Sequence, residues 1–74
     1  MKRYKNLNAD SGVVAYEIAD HSITIEFRDR GKYRYDYKKP GKSDVEEMKR
    51  LATAGHGLAT YINQHVRERF AEKL

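Results

Sequence analysis

Residues 14 to 38 read VAYEIADHSITIEFRDRGKYRYDYK, and the alternation in this stretch decides the fold. Val14, Tyr16 and Ile18 alternate with Ala15, Glu17 and Ala19. Ile23, Ile25 and Phe27 alternate with Thr24, Glu26 and Arg28. Tyr33, Tyr35 and Tyr37 alternate with Arg34, Asp36 and Lys38. Period two in β-branched and aromatic residues predicts three strands. Asp20-His21 has the length of a two-residue hairpin loop, although it lacks the preferred glycine. Asp29-Arg30-Gly31 suits a three-residue loop, with Gly31 at a positive-φ position.

These loops imply a register. The first hairpin places Ile18 opposite Ile23, Tyr16 opposite Ile25 and Val14 opposite Phe27. The second places Phe27 opposite Tyr33, Ile25 opposite Tyr35 and Ile23 opposite Tyr37. All these apolar side chains then share one face, and a one-residue slip in either hairpin would divide them. The other face gains Glu26 opposite Arg34, an opposite-charge pair.

Such a face needs a cover. Pro40-Gly41 marks a turn. Ser43 and Glu46 have the spacing of a capping box, and Asp44, Glu46 and Glu47 suit the first turn of a helix dipole. Val45, Met48, Leu51 and Ala52 form the apolar stripe of that helix, which Gly55-His56-Gly57 ends or kinks. Leu58, Ile62, Val66, Phe70 and Leu74 form an i, i+4 ridge that predicts helix from about Leu58 to Lys73, either as a continuation or as a second helix. The expected architecture is α+β: a three-stranded antiparallel meander covered on one face by one or two C-terminal helices, β-β-β-α-α. Residues 1 to 10 are expected to be a loose N-terminal arm, with a short edge strand as the alternative, ahead of a single domain over residues 11 to 74.

The chain has 74 residues, so one domain is the most it can hold. A domain this short buries only about 60% of the surface its unfolded chain exposes, so its core is thin. Without cysteine there is no disulfide, no thiolate metal site and no thiol nucleophile. No apolar run is long enough to span a membrane. The charges of Met1-Lys2-Arg3-Tyr4 are followed by no apolar core, so no signal peptide is read and a cytoplasmic location is the default.

The net charge is +4, and its distribution is uneven. Lys32, Arg34, Lys38, Lys39 and Lys42 stand against Asp36 alone, so the basic excess lies in the third strand and the link after it. Such a segment either attracts phosphate or is simply a solvated face. His21, His56 and His65 show no metal-ligand spacing, so neither metal nor cofactor is expected. Ser11, Ser22 and Ser43 lack a nucleophile elbow. Gly55-His56-Gly57 precedes a helix and is either an anion-holding loop or a plain turn. The Tyr33, Tyr35, Tyr37 row either stacks bases or lies in the core. No acid–base or nucleophile constellation appears, so an enzyme is not expected.

The residues from Ser11 through Val13-Val14-Ala15-Tyr16, Ile23-Thr24-Ile25-Glu26-Phe27 with Gly31, Tyr33-Arg34-Tyr35 and the closing Tyr61 to Phe70 stretch together resemble the KTSC domain family. This is a short domain at the C-terminus of some lysyl-tRNA synthetases, also found alone in bacterial proteins. Tyr33-Arg34-Tyr35 matches the family's central Y-x-Y. Tyr61, Asn63 and Arg67 fall in a stretch similar to its aromatic-x-N-x-x-I-R ending. The basic Lys38 to Lys42 link and the residues around Gly55 to Thr60 depart from the usual pattern. The resemblance implies a non-catalytic module without an established role, for which RNA binding has been suggested.

Two expectations follow. One is RNA bound through a basic surface, with Lys32, Arg34, Lys38, Lys39, Lys42, Asn63 and Arg67 as candidate ligands. Asn63 and Arg67 alternatively tie the helix end to the sheet. The other is a protein partner or a weak homo-oligomer formed through an open sheet edge.

Overall fold

The computed structural model describes residues 1–6 and 12–74. The motif position Ser11 and residues 7 to 10 of the expected arm lie outside the described residues. Alternation yields β2 (Val13–Ala19), β3 (Ser22–Phe27) and β4 (Gly31–Asp36). Two further strands flank them, β1 (Lys2–Arg3) beside β2 and β5 (Glu72–Lys73) beside β4. The sheet is antiparallel and its strand order is the chain order, β1-β2-β3-β4-β5. The class is α+β as expected, but among the described residues the sheet has five strands rather than three.

The first hairpin keeps its register at Ile18↔Ile23 and Tyr16↔Ile25. Val14 does not face Phe27. A bulge between Val13 and Ala15 puts Val13 opposite Phe27, so Val13 is buried and Val14 is turned outward. The second hairpin pairs Ile25 with Tyr33 and Ile23 with Tyr35, two residues from the expected register. Its loop is Arg28 to Arg30, and Gly31 (φ 88°) already faces Phe27. A two-residue slip leaves every side chain on its face, so tyrosine burial survives the change. The cross-strand partners do not: Glu26 meets Lys32, and Arg34 meets Thr24. Tyr37 falls beyond the strand.

Helix α1 (Lys42–Ala54) lies over this face and buries Val45, Met48, Leu51 and Ala52, as the stripe requires. Its N-cap is Gly41 rather than Ser43, and no side chain caps it, so the capping box does not form. The helix ends at Gly55 (φ 85°). A Cβ here would lie 2.8 Å from the Cβ of Lys5, so both the backbone angle and the close approach require glycine.

The expected long second helix is replaced. Helix α2 (Leu58–Tyr61) continues as a π-helical turn (Ile62–Val66) and stops at Arg67, whose φ is 54°. Leu58, Ile62 and Val66 are buried as the ridge predicts. Phe70 reaches the core by another route. It packs edge-on against Tyr33, with ring centroids 4.7 Å apart, and against Tyr35 at 6.5 Å. The chain then runs along β4: Ala71 N–H donates to the Arg34 carbonyl and Leu74 N–H to that of Lys32, both at 2.8 Å. These bonds satisfy an edge of β4 that a continued helix would have left open. Leu74 is consequently exposed.

Residues 2 to 4 are not a loose arm. Lys2 pairs with Tyr16 and Arg3 with Ala15, and Tyr4 N–H donates to the Val14 carbonyl at 2.9 Å. Tyr4 is buried, and its hydroxyl accepts the Leu58 N–H at 3.3 Å. One apolar cluster joins Tyr4, the inner sheet face and the helical cover. Each large aliphatic side chain buried there contributes about 1.5–3 kcal/mol.

Candidate functional site

Asp36 builds the turn between β4 and α1. One carboxylate oxygen accepts the N–H groups of Lys38 and Lys39, both at 3.0 Å. The other accepts Arg34 at 2.7 Å. The Asp36 carbonyl accepts the N–H groups of Lys39 and Gly41, each at 3.1 Å. The donors to the carboxylate, Lys39 N–H first, then Arg34 and Lys38 N–H, hold the Asp36 carboxyl below its ordinary range. The turn therefore has a fixed shape, and Lys38 and Lys39 extend from it into solvent.

Tyr37 anchors this turn to the β2–β3 hairpin. Its hydroxyl donates to Glu46 at 2.6 Å and lies 3.2 Å from the Asp20 carbonyl. Lys49 donates to the same carbonyl and pairs with Glu46, both at 3.0 Å. The Tyr37 bond lowers the Glu46 pKa and raises that of the phenol. Lys42 and Lys49 lie 5.7 and 5.6 Å from the Tyr37 ring centroid, and His21 meets the ring edge-on at 5.0 Å.

The expected ligand residues separate into groups. Lys38, Lys39 and Lys42 share the turn, are exposed, and enter no ion pair among the described residues. Arg34 lies on the uncovered sheet face between two carboxylates. Its guanidinium donates to Glu72 at 3.0 and 3.2 Å as well as to Asp36, and Glu72 leads in raising its pKa. Lys32 stands opposite Glu26, separated from the turn by the length of β4 from Lys32 to Asp36, about 13 Å at strand rise. Asn63 and Arg67 are exposed on the π-helical turn and just after it.

The tie from this end of the chain to the rest of the fold is made by Arg69. It pairs with Asp44 at 3.2 Å and also donates to the His65 carbonyl. Tyr61 adds a 2.6 Å bond to Asp44. Tyr33 and Tyr35 are buried under Phe70, so their faces are closed to a base.

Sequence patterning did not group Arg3, Lys5 and Arg28. They line a cleft of about 390 Å³ with Tyr4, Asn6 and Val14. The only signal was the local charge of the first residues, and their convergence depends on the pairing of β1 with β2. Among the described residues there is no cluster of metal-ligating side chains, and no helix is long and apolar enough to cross a membrane. Comparison with protein-family models, curated proteins and solved structures returned no match.

Proposed function

We propose that this chain is a small non-catalytic binding module of the KTSC kind its motifs resemble, and that it contacts RNA phosphates through the β4–α1 turn. The observation that carries this reading is the bracing of that turn by Asp36, which presents Lys38, Lys39 and Lys42 exposed and, among the described residues, outside any ion pair. Pre-positioned ammonium groups bind backbone phosphate and release its counterions. Arg34 drops out of the ligand set because Glu72 and Asp36 already occupy it. The hydroxyl–carboxylate pairs Tyr37–Glu46 and Tyr61–Asp44 fasten α1 to its neighbours, which supports a binding rather than a catalytic role.

Titrating short single-stranded RNA at increasing salt tests the proposal. Three phosphate contacts lower affinity about 20-fold between roughly 50 and 200 mM salt. The triple variant Lys38→Gln/Lys39→Gln/Lys42→Gln loses that slope, whereas Arg34→Gln changes affinity by less than about twofold. Binding that ignores salt, or survives the triple variant, rejects the turn as the contact.

The alternative of a protein or self-association contact through a sheet edge has less support. Both outer strands are two residues long and charged, Lys2–Arg3 and Glu72–Lys73, which discourages addition of a further strand.

A further inference from the structure

The cleft formed by Arg3, Lys5 and Arg28 lies away from the β4–α1 turn. That turn packs beside Asp20 and His21 at one end of β3, whereas Arg28 follows Phe27 at the other end. Six residues of strand separate the two ends, about 20 Å. Three separate constraints place the cations. Arg3 is fixed by its pairing with Ala15. Lys5 follows the buried Tyr4, and its stem rests against Gly55. Arg28 is held by its own N–H, which donates to the Gly12 carbonyl at 2.8 Å.

Among the described residues, none of the three side chains has a hydrogen bond or ion pair and no carboxylate lines the cleft. Elsewhere on the surface Arg34, Lys49, Arg50 and Arg69 are each matched by a carboxylate. Three like charges around a concavity repel one another, and a bound anion offsets that repulsion. The volume falls within the range of small-ligand clefts, roughly 300–1,000 Å³.

We propose that this cleft binds a phosphate-bearing small molecule of up to mononucleotide size. Arg3 and Arg28 offer planar N–H pairs to phosphoryl oxygens, and Lys5 adds a point charge. The site is independent of the RNA contact proposed for the turn.

Amide chemical-shift titrations of the full chain with inorganic pyrophosphate and with adenosine 5′-monophosphate test it. The expected result is saturable shifts at Arg3, Lys5 and Arg28 with either probe. Arg28→Gln weakens binding about tenfold, the loss of one charge-assisted contact, with the rest of the spectrum unchanged. Lys38→Gln/Lys39→Gln leaves the affinity within about twofold. Three results overturn the proposal: no saturation at millimolar probe, equal affinity in Arg28→Gln, or shifts at these amides with a short RNA alone.

Discussion

Tyr35 is 1% exposed, and burial raises its phenol pKa from 10.0 to about 12, against an opposing pull from Arg30. Tyr61 is likewise raised to about 12, by burial first and then by its bond to Asp44. A raised phenol pKa means that the folded state favours the neutral form. The corresponding stability is complete below the unfolded value of 10.0 and is lost as pH rises toward about 12. Urea unfolding across this window, read with tyrosinate absorbance, will show stability falling steadily. Tyr35→Phe keeps the packing and flattens part of the fall; an unchanged slope would show that Tyr35 does not hold its proton. The core seat of Tyr35 was legible from alternation, because parity survives a two-residue slip. The engagement of Arg34 was not, because its partner Glu72 comes from a strand that periodicity assigned to a helix.

That substitution of strand for helix is decided at the element scale. Leu58, Ile62 and Val66 keep the spacing of a ridge and are buried as one. Phe70 keeps the same spacing, yet Arg67 in the left-handed region has already turned the chain. The i, i+4 pattern records which side chains are apolar and says nothing of a backbone break between them. The unsatisfied edge of β4 supplies the competing attraction, and a one-dimensional reading cannot see it. Phe70→Ala removes the ring that docks this return on Tyr33 and Tyr35. It is expected to cost about 2–3 kcal/mol, below the full core value because Phe70 is only partly buried. Amide exchange at Ala71 and Leu74 will rise in that variant while Ile23 stays protected. Equal loosening at both places would mean that β5 is not held by this contact. The first strand was hidden for a related reason: Lys2–Arg3 carries only charge, and its place is set by Tyr4 behind it.

Across the whole molecule, fold class was more legible than site. Hydrophobic parity reports on burial, which is short-ranged along a strand. The charge cluster brings Arg28 to Arg3 and Lys5, distant in sequence, and depends on the pairing of β1 with β2 and of β2 with β3. The contiguous run from Lys32 to Lys42 was conspicuous in sequence, yet the fold divides it between an uncovered face and a turn.

Strand order that equals chain order also has a kinetic consequence. Each hairpin closes a short loop, so the middle of the sheet assembles without waiting for distant segments. Pulse labelling during refolding will find Ile23 and Ile25 shielded first, with Tyr4 and Leu74 shielded last as the outer ribbons zip on. Simultaneous shielding at all four would instead describe a single concerted collapse.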